Sequence, residues 1–421
     1  MVAERLDPIR VQSDSRDHSV SPDAALSSAA QLHRRTVRKL WLTFHVYMGL
    51  FAGGLFVLSS LTGSLLVFYK TIDEWLNPEQ LLVRPLEHVQ PLERIVENAR
   101  AIHPELPGLD NLTFPLYDRD TFQAWFRVQT GTREQFHWQM VTVDPYSGHV
   151  MSERQWGTYF VSFIYELHKS LLLGDTGETV VGILAFLLML SVGTGLYLWW
   201  PSPGKLRRAF SFKSGSSVIR RHYDLHKLSG LSSALILLLL AFTGFYLEFP
   251  SAVVPIVKLF SPVRDAPEEW ELHSTVLAGI DALPVDQAVA IAQEALPDAR
   301  VMWLGFPSGA EGVYSVGLRQ PGEVREAEGQ SQVWIDQYSG AVLSVQDWRR
   351  FTRGETFVAW LFPLHNGEAF GLTGRWIILI TGFIPSILYV TALRMWWLKR
   401  NARLRQRHGE QRVQVARAAL P

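Results

Sequence analysis

Four histidines recur at matching places in the two halves of the chain. His45 opens HVYMGLFAGGLFVLSSLTG and His226 opens HKLSGLSSALILLLLAFTG. In both, a glycine follows four residues on (Gly49, Gly230), and a Thr-Gly pair closes the stretch (Thr62-Gly63, Thr243-Gly244). A second pair repeats as tightly. His168 follows Phe160 and His365 follows Phe357 at the same distance, each directly after a leucine. Thr176-Gly177 and Thr373-Gly374 come next, then Trp199-Trp200 and Trp396-Trp397. A lone histidine at a membrane end ordinarily serves a hydrogen bond. Four in two matched pairs read instead as metal ligands, His45 with His226 and His168 with His365. A haem iron offers two opposed axial positions, and two neutral imidazoles from facing helices satisfy them. Gly49 and Gly230 lie one turn along from their histidines, where a missing side chain lets a flat macrocycle approach the backbone.

The chain holds no cysteine. That excludes Cys-ligated iron–sulfur clusters, thiolate catalysis, disulfides and covalent c-type haem attachment. Haem held by these residues is non-covalent. Flavin, quinone, or copper or zinc on histidine remains open, although zinc wants a third or fourth ligand. His222, one turn before His226, is read as facing a cofactor's periphery, and Lys169 and Arg375 as partners for haem propionates.

The elements that carry these residues are apolar. Four uncharged runs are expected as membrane spans: Leu40–Tyr69, Thr179–Gly204, Leu228–Leu247 and Trp376–Leu393. A bilayer core needs about 20 helical residues. Basic residues gather before the first run, between the second and third, and after the fourth, which puts those segments on the cytoplasmic side. Lys plus Arg balances Asp plus Glu at 40 each, so nothing points to nucleic acid. Residues 1–36 are polar, lack a signal-peptide core and read as a disordered cytoplasmic tail. The expected order is then span one in 37–72, an outer domain at 73–158, an interfacial segment with span two at 159–204, and a cytoplasmic loop at 205–222. Span three in 223–248, a second outer domain at 249–355, an interfacial segment with span four at 356–400 and a cytoplasmic tail at 401–421 complete it. Each of His168 and His365 precedes its run by about ten residues, with glycines between, so a helix break is expected there.

The outer domains also match. Val143-Asp144-Pro145-Tyr146-Ser147-Gly148 answers Ile335-Asp336-Gln337-Tyr338-Ser339-Gly340. Alternating runs at Ala124–Gln129 and Val313–Arg319 predict strands, and Asp-x-Tyr-Ser-Gly predicts a hairpin turn. Helical periodicity at Pro91–Ala101 and Pro284–Leu296 precedes them. Each domain is expected as a small α+β unit, one helix on an antiparallel sheet.

A helix, a strand, Asp-x-Tyr-Ser-Gly and a second strand resemble the PepSY domain. The chain from about 35 to 400 resembles the PepSY-associated transmembrane family, with His-x-x-x-Gly opening spans one and three and a histidine before spans two and four. The resemblance implies an α-helical membrane protein of four transmembrane helices, built as an internal two-fold repeat, with two periplasmic α+β PepSY-like domains. With the placement of the basic residues, it implies a bacterial inner-membrane location with both termini cytoplasmic. The family includes ferric-siderophore reductases of the ferrioxamine type carrying two b-type haems. It therefore implies electron transfer from a quinol or a cytoplasmic reductase to a ferric siderophore in the periplasm, with Trp125, Trp138, Trp303 and Trp334 as candidates to line its cradle. Two other readings stand beside it: a membrane-anchored PepSY module that binds or regulates a peptidase, and a copper- or zinc-handling membrane protein.

Overall fold

The computed structural model describes residues 22–104, 108–129, 136–213, 215–264, 271–277 and 279–418. The chain enters through α1 (Pro22–Phe51), which turns into α2 (Gly53–Leu66). The two axes differ by 57°. The bend falls at the run Ala52-Gly53-Gly54, and Gly53 lies so close to the Tyr389 ring that a methyl there would meet it at 2.5 Å. The first apolar run is therefore a broken helix rather than the straight one its composition suggested. Residues 22–36 of the expected disordered tail are the first turns of α1; residues 1–21 lie outside the described residues. The stretch PDAALSSAAQL is rich in alanine and leucine, and helix propensity outweighs its polarity.

Two short helices follow, α3 (Tyr69–Leu76) and α4 (Pro78–Leu81), and then α5 (Leu92–Arg100) and four strands. The strands are β1 (Leu109–Thr113), β2 (Phe122–Gln129), β3 (Phe136–Val143) and β4 (Val150–Gln155). The chain returns to the bundle in α6 (Phe160–Ser170) and α7 (Gly174–Trp199). A short α8 (Leu206–Ala209) leads to α9 (Val218–Glu248), which takes in the end of the expected loop. The second half repeats the plan: α10 (Pro250–Lys258), α11 (Val285–Ala295), β5 (Arg300–Gly305), β6 (Val313–Arg319), β7 (Ser331–Asp336) and β8 (Val342–Gln346). It closes with α12 (Arg353–Asn366), α13 (Gly371–Thr381) and α14 (Ile384–Ala418).

Among the described residues, three helical stretches are long and apolar enough to cross a membrane, and the bent α1–α2 pair qualifies as one more. Each of α6 and α12 stops before its long apolar helix. After α6 the break is made by Leu171 and Leu172, both in the left-handed region at φ 51° and 61°. Side chains there cost about 1–2 kcal/mol each. After α12 the same turn is made by Gly367 at φ 83°. Gly177 and Gly374 allow the crossing: a methyl at either would lie 1.6 Å from Ser170 O or 2.1 Å from Gly367 O.

The two α+β units are one body. Their strands form a single eight-stranded antiparallel sheet in the order β4-β3-β2-β1-β5-β6-β7-β8. The join is β1 against β5, with Leu112 opposite Leu304. Both are fully buried, with Ile95, Val96, Ala288 and Val316, in a core that α5 and α11 cover. The helices cap each other. Leu92 N and Glu93 N donate to the Asp286 carboxylate at 3.2 Å, and Val285 N donates to Glu93 at 3.0 Å. A carboxylate at a helix N-terminus also meets the helix dipole favourably. The two hairpin turns are built alike: Gly148 and Gly340 both take φ 72°, and the carboxylates of Asp144 and Asp336 accept from the amides of Tyr146 and Tyr338.

Candidate functional site

The bundle places His45 on α1 against His226 on α9, with ring centres 6.4 Å apart and planes at 89°. It places His168 on α6 against His365 on α12, with centres 6.2 Å apart and planes at 46°. Facing partners thus come from opposite repeats.

Each ring is held by a threonine of another helix. Nδ1 of His45 donates to Thr194 Oγ1 at 3.0 Å, and Nδ1 of His365 donates to Thr243 Oγ1 at 2.9 Å. His168 Nδ1 meets Thr62 Oγ1 at 3.2 Å and Ser59 O at 2.9 Å. His226 Nδ1 meets Thr391 Oγ1 and Leu388 O, both at 3.0 Å. Donor and acceptor follow from the inventory of protons. Each threonine hydroxyl gives its one proton to a carbonyl a turn back in its own helix: Leu58 for Thr62, Leu190 for Thr194, Leu239 for Thr243, Ile387 for Thr391. Its oxygen therefore accepts from the ring, and the carbonyls of Ser59 and Leu388 can only accept. Nδ1 carries the proton in all four rings and Nε2 carries the lone pair, the tautomer a metal ligand needs. Among the described residues none of these Nε2 atoms makes a hydrogen bond.

Glycine next to three of the four threonines brings the ring onto bare backbone. A methyl at Gly63 would lie 2.8 Å from His168 Cε1, at Gly195 3.2 Å from His45 Cε1, and at Gly244 3.3 Å from His365 Cε1. Ala392 takes this place beside Thr391. The sequence reading put the close approach at Gly49 and Gly230. The imidazole rings themselves lie against Gly63, Gly195 and Gly244, and the space beside Gly49 and Gly230 is open to such an approach. A methyl at Gly49 would meet nothing within 4 Å, and one at Gly230 would touch only Leu388 at 3.4 Å. The threonines were visible as a spacing: Thr62 and Thr243 stand at the same distance from His45 and His226, and Thr194 and Thr391 at the same distance from His168 and His365.

The other candidates are engaged elsewhere. His222 Nδ1 donates to Val218 O of its own helix at 2.9 Å. Lys169 pairs with Glu178 at 2.8 Å, and Arg375 pairs with Glu326 at 2.9 Å. Propionate partnership for Lys169 and Arg375 would require those carboxylates to yield. Trp125, Trp138, Trp303 and Trp334 share one sheet face, the one away from α5 and α11, as the pairings Trp125–Met140, Arg127–Trp138, Trp303–Gly317 and Ser315–Trp334 require. That face turns to the bundle. Arg154 on it grips Asp73 of α3 at 2.7 and 3.0 Å, and Thr142 donates to Gln80 O at 2.9 Å. Trp334 is buried sheet core at 2% exposure, while the other three are only partly covered.

The two pairs lie at different levels. His226 and Thr243, the anchor of His365, are 17 residues apart in the one helix α9, about 25 Å at ~1.5 Å per residue. The His168/His365 level is the one next to the sheet.

The donor set can be tested against the groups it would hold. A metal–imidazole bond is about 2.0 Å, and a ring centre lies roughly 1.1 Å behind its nitrogen, so two rings on opposite sides of one metal have centres about 6 Å apart. Both observed separations agree. Among the described residues no third His, Cys, Asp or Glu joins either pair to make a site of three or more such ligands. Two facing imidazoles at this separation fit the two axial positions that a haem would offer.

Apolar helices long enough to span a bilayer, carrying an antiparallel sheet and two matched histidine pairs, define a helical membrane protein with an internal repeat. The chain belongs to the PepSY-associated transmembrane family, whose model for the PepSY-associated TM region matches residues 42–399. No curated protein matches the chain.

Proposed function

We propose that the protein is a di-haem membrane reductase that carries electrons across a bacterial inner membrane to a ferric siderophore in the periplasm. The observation that carries this reading is the pair geometry: two sets of opposed imidazoles with Nδ1 locked and Nε2 free, at the separation one shared iron requires. Haem, when bound, supplies a one-electron carrier at each level. His45 and His226 would hold the inner group and His168 and His365 the outer one. Thr194, Thr391, Thr62 and Thr243 fix the tautomer and the ring direction. In this reading four spans cross the membrane with both termini cytoplasmic, as the basic segments favour, and the eight-stranded sheet stands in the periplasm over the outer pair. The donor is a quinol or a cytoplasmic reductase.

The acceptor is proposed from the family resemblance and from the chemistry of release. Siderophore oxygens are hard donors that hold Fe(III) tightly and Fe(II) weakly, so one electron frees the metal. The tryptophan face of the sheet, turned toward the outer pair, would steer the chelate there. A simple membrane anchor would have no use for four histidines each fixed by a threonine.

The test is a visible spectrum of the detergent-purified protein. A Soret band that sharpens into split α and β bands on reduction is expected, with two haems per chain. His45→Ala or His226→Ala should remove one haem, and His168→Ala or His365→Ala the other. A colourless preparation from haem-replete cells overturns the reading.

A further inference from the structure

Among the described residues, one charged cluster belongs to neither histidine pair and has no counterpart in the other repeat. Glu368 sits in the turn between α12 and α13, three residues past His365, and is 4% exposed. Its Oε1 is buried and makes no hydrogen bond. Its nearest cation is Arg375 at 3.8 Å, whose guanidinium is already taken by Glu326 at 2.9 Å, and the Glu326 amide and the Asn366 side chain also approach its carboxylate. Glu326 lies in the β6–β7 loop, as do Arg325 and Glu328, which pair with each other. Arg325 also stacks 4.8 Å from the Phe362 ring, one turn before His365 on α12. The Tyr69 hydroxyl at the start of α3 faces Glu328, Glu368, Arg375 and Arg325. On its own turn, Glu368 meets Asn366, whose side-chain oxygen accepts the Glu368 amide at 3.0 Å. Three carboxyls thus meet two guanidiniums. In the first repeat, Leu171 stands where Glu368 stands, and Glu178, paired with Lys169, stands where Arg375 stands.

A buried carboxylate oxygen without a donor is costly, and a proton removes the cost. A negative charge arriving nearby raises the carboxyl's affinity for that proton further, and by linkage the bound proton favours the arriving electron equally. We propose that Glu368 is a redox-linked proton site: one proton binds Oε1 from the sheet side when an electron reaches the His168/His365 level, and it leaves when the electron passes to the acceptor. The O–H bond formed in the first step is the bond broken in the second, so charge and protons balance over a cycle. Tyr69 and the β6–β7 carboxylates line the way to the sheet-side solvent. This inference rests on the reading that the outer pair holds a redox centre.

The experiment is a spectroelectrochemical titration of the purified, haem-loaded protein across pH. The outer haem is identified by its loss in His168→Ala. Its midpoint potential should fall as pH rises, by up to about 59 mV per tenfold drop in proton concentration, while the inner haem's stays nearly flat. Glu368→Gln should flatten the outer dependence, and Glu368→Asp, which keeps a carboxyl, should retain it. Redox-difference infrared spectra should show a protonated-carboxyl band on reduction that Glu368→Gln lacks. A pH-independent outer potential in the unmodified protein, or one unaltered by Glu368→Gln, overturns the proton site and leaves the haem reading intact. A protein without haem overturns the haem reading itself.

Discussion

Removing one hydroxyl from the anchor of a histidine should weaken the site it serves, and two anchors of the same pair should differ. Thr194→Val and Thr391→Val are nearly isosteric and leave the helices intact. In Thr194→Val the His45 Nδ1–H loses the acceptor at 3.0 Å and is left with only the weaker approach of the Ser191 carbonyl. In Thr391→Val the His226 Nδ1–H keeps Leu388 O, also at 3.0 Å. A hydrogen bond contributes about 1 kcal/mol net, whereas a half-buried donor left unpaired costs roughly 1–3 kcal/mol. Partners behind metal-bound histidines typically control affinity by about 10- to 100-fold. On the di-haem reading, Thr194→Val should therefore lower the inner haem's affinity by about tenfold or more, and Thr391→Val by only a few-fold. The assay is haem transfer to excess apomyoglobin, followed at the Soret band, with the outer haem as the internal reference. Equal losses in the two variants would refute the argument that the carbonyl of Leu388 shares the load. No loss in either would refute the role of the threonines altogether.

Three further outcomes follow from the same contacts. Gly63→Ala would press a methyl to 2.8 Å from His168 Cε1, against 3.3 Å from His365 Cε1 for Gly244→Ala; overpacking of this kind costs about 1–3 kcal/mol, so Gly63→Ala should lose more outer haem on gel filtration than Gly244→Ala, and equal retention would count against the tight fit. Glu355 caps α12 and accepts from Arg264 at 2.7 and 2.8 Å, which holds its carboxyl down at about 2; since the folded value is depressed, this stabilisation is full above about pH 4.5 and is lost as pH falls toward 2. It is worth roughly 1–3 kcal/mol after allowing for the exposed arginine, so Glu355→Gln should lower the melting temperature at pH 7 and narrow the gap from the unmodified protein near pH 3. The chain contains no cysteine, so single substitutions report orientation cleanly: Glu311→Cys on the sheet side should react with an impermeant maleimide in intact cells, and Gly215→Cys between α8 and α9 only after permeabilisation. The reverse pattern would invert the proposed orientation.

The histidine pairing was legible because the repeat writes it twice, and the two-fold relation dictates which helix faces which. The breaks after His168 and His365 were legible from their glycines, although in the first repeat Leu171 and Leu172 make the turn without one. The bend at Ala52 was hidden because an apolar run records depth but not direction. The joining of the sheet was hidden for another reason: β1 and β5 pair across almost 200 residues, and neither strand's alternation names its partner. Composition misread residues 22–36, where polar side chains masked a helix-forming backbone. The anchoring threonines were present in the notation of the repeat and lacked only a contact to give them meaning.

The repeat matters most where it fails. Both histidine pairs, both hairpin turns and both sheet units obey it, so those features need only the symmetric geometry. The charged cluster around Glu368 does not, because Leu171 and the Lys169–Glu178 pair replace it in the other half. On the proposed reading, an apparatus that moves charge in one direction needs its two levels to differ, and a symmetric scaffold supplies no such difference. The asymmetry enters at the sheet-side level, on the helix turn that follows His365. It arrives with the β6–β7 loop, whose Gln330 donates to Ala359 O of α12 at 2.8 Å and whose Glu326 holds Arg375 of α13. The sheet therefore touches the outer level through its own loop, so a ligand that shifted that loop would be felt beside His365 before it was felt at the inner pair.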